Sequence, residues 1–206
     1  MDRGNKGPSP DSEAARRRRE EAARKYQPEV VDLLLVAETP PRDLDRYFYF
    51  EDVRAHDDLF RGVAEFLLQV KNPDRSMKPE LLAQLKKTKV FLIDLKPDPT
   101  DQSPLSEHVC ALVDSCTKLR PRKIVLIKVT VYDAAFEAFR QAGLPVIDER
   151  IPFPGRQQKR FEEKFRAALE KAGSKPAGAG VNRALEGTTQ NLSEVPSAKP
   201  ATDARR

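Results

Sequence analysis

The sequence predicts an α/β fold: three α/β/α layers around a central four-stranded, mainly parallel sheet. Three observations predict it. Continuous apolar runs recur at residues 30–36, 90–95, 123–131 and 144–147. Amphipathic helical stretches stand between them. The runs do not alternate with polar positions, which is the pattern of strands buried on both faces by crossover helices.

Each element has its own signal. Residues 30–36 (VVDLLLV) are apolar apart from Asp32 and read as the first strand. Residues 57–70 place Leu59, Phe60, Val63, Phe66, Leu67 and Val70 at helical spacing. Residues 78–87 form a second short helix, and VFLIDL at 90–95 a second strand. Ser103 followed by Pro104 reads as an N-cap and first helical position, opening a helix to about residue 119. Its inner face carries Val109, Leu112, Val113 and Cys116. KIVLIKVTV at 123–131 is the third strand; Asp133 caps a helix ending at Gly143; 144–147 is the fourth strand. Residues 156–171 form the last helix, with Phe161, Phe165 and Leu169 on one face.

The ends differ from the middle. Residues 1–25 hold eight basic and five acidic side chains and predict a tail, disordered to helical. Within it, residues 11–25 suit a solvated helix with Asp11 or Ser12 as N-cap and Glu20–Arg24 as an i,i+4 pair; having no apolar stripe, it is expected to dock nowhere. Residues 173–206 are poor in large apolar groups and read as a disordered tail. The net charge of +5 therefore belongs to the ends, and residues 26–170 sum to −1. That argues against a uniformly basic nucleic-acid binder and leaves one folded domain over 26–172. No window has the apolar length of a membrane span, and the first residues lack the apolar segment of a secretory signal. Cys110 and Cys116 have no ligand-spaced partners, so neither a disulfide scaffold nor a metal site is expected, and a reducing cytoplasm fits.

Ligands of open parallel sheets sit at the carboxyl ends of the strands. Three segments fall there. The first is AETPPRDLDRYFYF, residues 37–50. Its prolines stiffen the loop, and Tyr47, Phe48, Tyr49 and Phe50 offer flat faces that either stack a planar base or pack the loop against the first helix. The second is Asp94, at the end of its strand, suited to accept hydrogen bonds from ligand N–H groups, to activate water, or to cap the loop. Lys96 and Asp98 flank it. The third is the rigid turn Pro152, Phe153, Pro154, Gly155, leading into a helix whose first turns carry Arg156, Lys159 and Arg160. A helix N-terminus with added cations suits a phosphate. The chain contains no G-x-G-x-x-G, P-loop or G-x-S-x-G motif, and His56 and His108 stand alone.

Taken in order, these segments resemble the uracil-DNA glycosylase superfamily over residues 30–172. Ala37-Glu38-Thr39-Pro40-Pro41 stands where that family has Gly-Glu-Ala-Pro-Gly or Gly-Gln-Asp-Pro-Tyr-His. Phe48 or Tyr49 matches its base-stacking aromatic. Phe91-Leu92-Ile93-Asp94 stands where a strand ends in the base-reading Asn. Pro152-Phe153-Pro154-Gly155 occupies the place of its His-Pro-Ser loop. The resemblance implies a DNA glycosylase that flips a damaged base into the pocket and hydrolyses its N-glycosidic bond. Glu38, Thr39, Pro40, Phe48, Tyr49 and Asp94 would hold the base. Asp43 or Asp45 would position water. Pro152, Phe153, Pro154, Gly155, Arg156 and Lys159 would hold the DNA backbone. DNA is the implied partner and a monomer the implied state, with no metal and no cofactor. The chain departs from the family at four points: Ala37 replaces Gly, Thr39 replaces the water-activating acid, Asp94 replaces Asn, and the loop lacks its His. An ionised Asp94 would accept from an amino group or ring N–H rather than pair with uracil O4. Two alternatives stay open: a catalytically inactive nucleotide- or nucleic-acid-binding module of the same fold, and an interaction protein acting through its basic tails.

Overall fold

The computed structural model describes residues 10–43, 46–54, 57–155 and 157–173. It is a mixed α/β structure. Its elements run α1 (Pro10–Tyr26), β1 (Leu33–Ala37), α2 (Asp58–Leu67), α3 (Lys78–Lys87), β2 (Val90–Asp94), α4 (Val109–Leu119), β3 (Lys123–Leu126), α5 (Val129–Gln141) and α6 (Gln158–Ala172).

The sheet is parallel, in the order β2-β1-β3. Leu33 aligns with Val90 and Lys123, and Val36 with Ile93 and Leu126. Every residue of central β1 is buried, as its uninterrupted apolar sequence requires of a strand covered on both faces. By their contacts the helices fall into two sets: α1, α2, α3 and α6 pack among themselves, and α4 packs on α5. Between α2 and α6 the approach is close. A Cβ on Gly62 would stand 3.0 Å from Cε1 of Phe161.

Several sequence expectations are corrected. Among the described residues the sheet has three strands, where the sequence predicts four. Residues expected to form the fourth make only isolated parallel bridges, Ile124 to Val146 and Ile127 to Ile151. Five residue steps separate Val146 from Ile151 but three separate Ile124 from Ile127, the latter one residue past β3, so the two bridges do not share one register. The third strand stops at Leu126, and Val129, Thr130 and Val131 open α5 instead. Lys128, at φ 85°, reverses the chain there. β-Branched residues are tolerated in a first turn because no earlier turn crowds their χ1. Asp133 consequently lies inside α5, where it pairs with Arg150 at 2.7 Å. Ser103 does not cap a helix. Pro104 precedes a 3₁₀ turn, Leu105–His108, that runs into α4.

The N-terminal helix departs furthest from expectation. It begins at Pro10, so Asp11 and Ser12 lie within it rather than capping it. Glu20 pairs with Arg16 at 3.5 Å and Glu13 with Arg17 at 2.5 Å. Far from remaining solvated, α1 docks beside α3. It does so with Ala22 and Ala23 packed against the core, with Tyr26 stacked on Tyr49 at 6.3 Å between centroids, and with polar groups. Arg18 lies 4.7 Å over the Phe50 ring, Tyr26 is buried, Lys25 and Tyr26 both bond Glu51, and Lys86 Nζ donates to the Lys25 carbonyl at 2.8 Å. The C-terminal segment from 174 lies outside the described residues. Among the described residues no helix is long and apolar enough to cross a membrane.

Candidate functional site

Two clefts open at the carboxyl ends of the strands. The first, about 430 Å³, is walled by Thr39, Pro40, Tyr47, Phe48, Leu92 and Pro99, with Asp57, Asp58 and Asp94 as its carboxylates, Arg42 and Arg46 as its cations and Phe153 at its margin. The second, about 750 Å³, is lined by Lys128, Arg150, Arg160 and Lys164, and Phe153 borders it as well. Phe153 is 44 % exposed between buried Pro152 and Pro154. A rigid turn thus holds one aromatic ring outward where the two clefts meet.

The aromatic loop divides. All four rings are buried, interlocked edge to face at 4.9–5.9 Å between centroids for Tyr47–Tyr49, Tyr47–Phe50 and Phe48–Tyr49. Tyr47 and Phe48 line the first cleft. Tyr49 does not. Its hydroxyl donates to the Leu92 carbonyl at 2.9 Å and accepts from the Leu92 N–H at 2.7 Å. β2 is an edge strand, and this one side chain satisfies two of its backbone groups. Tyr49 is therefore a core residue, and of the two stacking candidates only Phe48 faces the cleft.

Asp94 ends β2 in the first cleft and makes no hydrogen bond or ion pair among the described residues. Removal from water pushes its carboxyl up to about 7, the charge of Asp57 adds to this, and Arg19 opposes it. Asp57 caps α2, accepting from Leu59 N at 3.0 Å and Phe60 N at 3.1 Å. Burial raises Asp57 too, while Lys78 and the two cap N–H groups pull it down. Lys78 is 1 % exposed, donates to the Tyr47 carbonyl at 2.8 Å and lies 4.8 Å over the Phe60 ring. Burial lowers it to about 8, against the attraction of Asp57. The cleft thus holds Asp57 and Asp94 as interacting carboxyls, with Asp58 beside Asp57 and buried Lys78 acting on Asp57. Both carboxyls are raised by burial, Asp94 to about 7, and interacting carboxyls whose surroundings differ are an arrangement acid–base chemistry can use. Thr39 adds a buried hydroxyl without a hydrogen-bond partner.

The other expected residues scatter. Glu38 turns toward the second cleft, where it accepts from Lys128 Nζ at 2.6 Å and from the Thr130 hydroxyl. Burial opposes its ionisation, but these hydrogen bonds outweigh burial and hold it below the ordinary carboxylate range. Pro152 and Phe153 line the second cleft, whereas exposed Lys159 does not and its neighbour Arg160 does. Pro154 packs inward and Gly155 is exposed. Asp43 is exposed and outside the lining of the first cleft. Asp45 and Arg156 lie outside the described residues.

Neither the Asp101–Ser103–His108 cluster nor Cys116 forms a reactive site. Ser103 Oγ and an Asp101 carboxylate oxygen approach His108 Nε2 at 2.8 and 3.0 Å. Both use the same ring nitrogen, so no relay from carboxylate through imidazole to hydroxyl exists. The cluster instead belongs to the loop that Lys96 Nζ secures, at 2.7 Å from both the Asp101 and Ser103 carbonyls. Cys116 is buried and its thiol is pushed up to about 12 by burial, which makes it inert. Among the described residues no group of three His, Cys, Asp or Glu could hold a metal ion.

Asp57, Lys78 and Arg19 are the site residues that sequence reasoning missed. An Asp at a helix start reads as a cap, and Asp57 is one; its second role comes from standing near Asp94 across the fold. No family model matches the chain, and no curated protein matches it.

Proposed function

We propose that the protein is a base-excision glycosylase, related in design to the uracil-DNA glycosylases, whose pocket is the first cleft. The observation that carries this reading is the pair Asp57 and Asp94, interacting carboxyls in a cleft walled by Phe48, Tyr47 and prolines. Phe48 presents a face for a base. Asp94, titrating near 7, offers an acceptor when ionised and a donor when protonated, so it suits a base edge carrying an amino group or ring N–H. Asp57, raised by burial with Lys78 and two cap N–H groups partly offsetting it, is the candidate to orient water. The second cleft supplies cations for backbone phosphates, and Phe153 stands between base and backbone sites. In this reading the two helix sets are the outer layers of a three-layer sandwich, and the bridges at Val146 and Ile151 are the remnant of a fourth strand.

A second reading has one observation in its favour. Thr39 occupies the position of the family's water-activating acid and cannot serve as a base. A binding module that holds a base without cleaving it would keep every other feature of the cleft. The test is an excision assay on end-labelled single- and double-stranded DNA carrying uracil, hypoxanthine, xanthine or a mismatch, followed by alkali. The protein is purified from a host lacking its own uracil glycosylase. Base release from one of these substrates is the expected result. No release, with ligand-induced stabilisation by a free base or nucleotide, replaces the enzyme by the binding module.

A further inference from the structure

We infer that the amino ends of the strands, opposite the two clefts, form a surface that binds the phosphate backbone of duplex DNA. The inference is independent of base excision and of the first cleft.

Parallel strands put all their amino ends on one side of the sheet, and here the chain enters β2 and β3 through basic segments. Lys86, Lys87 and Lys89 stand at the end of α3 and the start of β2. Lys118, Arg120, Arg122 and Lys123 stand at the end of α4 and the start of β3. Register brings the two groups together, because Leu33 of central β1 aligns with both Val90 and Lys123. Asp32 N–H donates to the Lys89 carbonyl at 2.9 Å, and Lys123 N–H donates to the Asp32 carbonyl at 3.1 Å. All these cationic side chains are exposed except half-buried Lys123. Residues 26–170 sum to −1, so the charge is concentrated at this end rather than spread over the domain.

Local carboxylates do not absorb it. Asp32 pairs with Arg122 Nε at 3.2 Å and Lys89 Nζ at 3.7 Å. Lys86 Nζ is held by the Lys25 carbonyl at 2.8 Å. The side chains of Lys87, Lys118, Arg120 and Lys123 have no hydrogen bond or ion pair among the described residues, and neither do those of exposed Glu29 and Asp114. Cations in a last helical turn complement the helix dipole, which accounts for Lys86, Lys87 and Lys118. It does not account for Lys89 and Arg120. Five helices run into a residue of positive φ: α5 and α6 into Gly143 and Gly173, α2 into Gln69, α3 into Lys89 at 60° and α4 into Arg120 at 47°. Glycine takes this conformation without strain. The backbone bonds at these ends, Lys89 N–H to the Lys86 carbonyl and Arg120 N–H to the Cys116 carbonyl, both 3.0 Å, need no side chain. Strained backbone kept at two positions for exposed cations on either side of Asp32 points to a partner.

The arrangement fits a duplex. Neighbouring strands are ~4.8 Å apart, so the entry points of β2 and β3 lie about 10 Å apart across β1. Duplex DNA offers two rows of phosphates separated by grooves ~6 and ~12 Å wide. Two groups of cations can follow the rows while Asp32, between them, faces the groove. An evenly anionic bilayer would meet Asp32 as well, and Val30, 49 % exposed, is the sole large apolar residue there to insert.

The experiment is fluorescence anisotropy of the full chain with a labelled duplex that carries no damaged base, across a salt series. The parent is compared with Lys89→Gly, Arg120→Gly and the double variant. The double variant is expected to bind more weakly and to flatten the log–log salt slope by about two units, one per lost phosphate contact. Its thermal midpoint is expected to stay close to or above the parent's, because glycine relieves both left-handed residues and the exposed Lys89–Asp32 pair contributes little. Lys118→Gln with Lys123→Gln leaves the backbone and the Asp32 pairs alone, and is expected to flatten the slope as well, even if the glycine variants do not fold. Arg160→Ala, in the second cleft, is made alone and with each pair, and its effect is expected to add to theirs. Folded variants that keep the parent's affinity and slope overturn the proposal. So does a loss that vanishes once Arg160 is replaced, or one confined to binding of phosphatidylserine vesicles.

Discussion

Replacing Asp94 by Asn turns the strained ionisation of the cleft into a measurable stability difference. In the unfolded chain an aspartate titrates near ~3.9. In the folded protein the Asp94 carboxyl is pushed up to about 7 by desolvation and Asp57. Between these values the folded state binds the extra proton, so stability must fall as pH rises and level off above the folded value. From pH ~5 to ~8 the loss amounts to about 2.5 kcal/mol for this group. Asn does not titrate, so Asp94→Asn escapes that loss. The assay is urea unfolding at fixed temperature from pH ~5 to ~8.5, reading the difference in stability between the two proteins at each pH. The variant should gain on the parent by about 2.5 kcal/mol across this window, whatever its offset at pH ~5. Asp57→Asn, measured in parallel, should shift the parent's decline to lower pH because it removes the repelling charge. A stability difference that stays constant across the window would refute the reasoning: Asp94 would then ionise alike in the folded and unfolded chain.

Three further outcomes are expected. Tyr49→Phe removes the partner of both Leu92 backbone groups and should cost about 1–3 kcal/mol in urea unfolding, while ligand binding in the first cleft stays unchanged. Glu149 is held below the ordinary carboxylate range by hydrogen bonds from Lys171 and Lys164. Its contribution is present above the unfolded value and lost as pH falls through the folded one, so Glu149→Gln should destabilise by about 1 kcal/mol at neutral pH, with the gap closing below pH ~4. Arg160→Ala should weaken DNA binding in fluorescence anisotropy equally across sequences and flatten the log–log salt slope by about one unit.

Much of the fold was legible because parallel strands and their helices carry strong local signals. The runs around Leu34, Leu92 and Val125 are apolar without alternation, and α3 matches its expected bounds residue for residue. What failed was decided by tertiary context. Val129-Thr130-Val131 has strand composition, yet the positive φ of Lys128 turns it into the first turn of a helix. α1 has the composition of a solvated helix, yet buried Arg19 and Tyr26 anchor it. The site was legible in the same uneven way. Asp94 could be found because it ends an apolar strand, and Phe153 because two prolines fix it. Asp57 could not, since nothing local separates a cap from a cap that also faces another carboxyl. The aromatic run YFYF announced a cluster, but only packing could assign Phe48 to the cleft and Tyr49 to the free edge of β2.

The measurement that bears most directly on the central claim is the single-turnover rate of base release, followed from pH ~5.5 to ~8.5 for the parent, Asp94→Asn, Asp57→Asn and Asp43→Asn. If the cleft carboxyls carry the chemistry, the first two variants should lose ~10²-fold or more and the Asp94 midpoint should vanish from the pH profile, while Asp43→Asn stays near the parent rate. Release that survives both Asp57→Asn and Asp94→Asn, or that disappears with Asp43→Asn alone, would place the reaction outside this cleft.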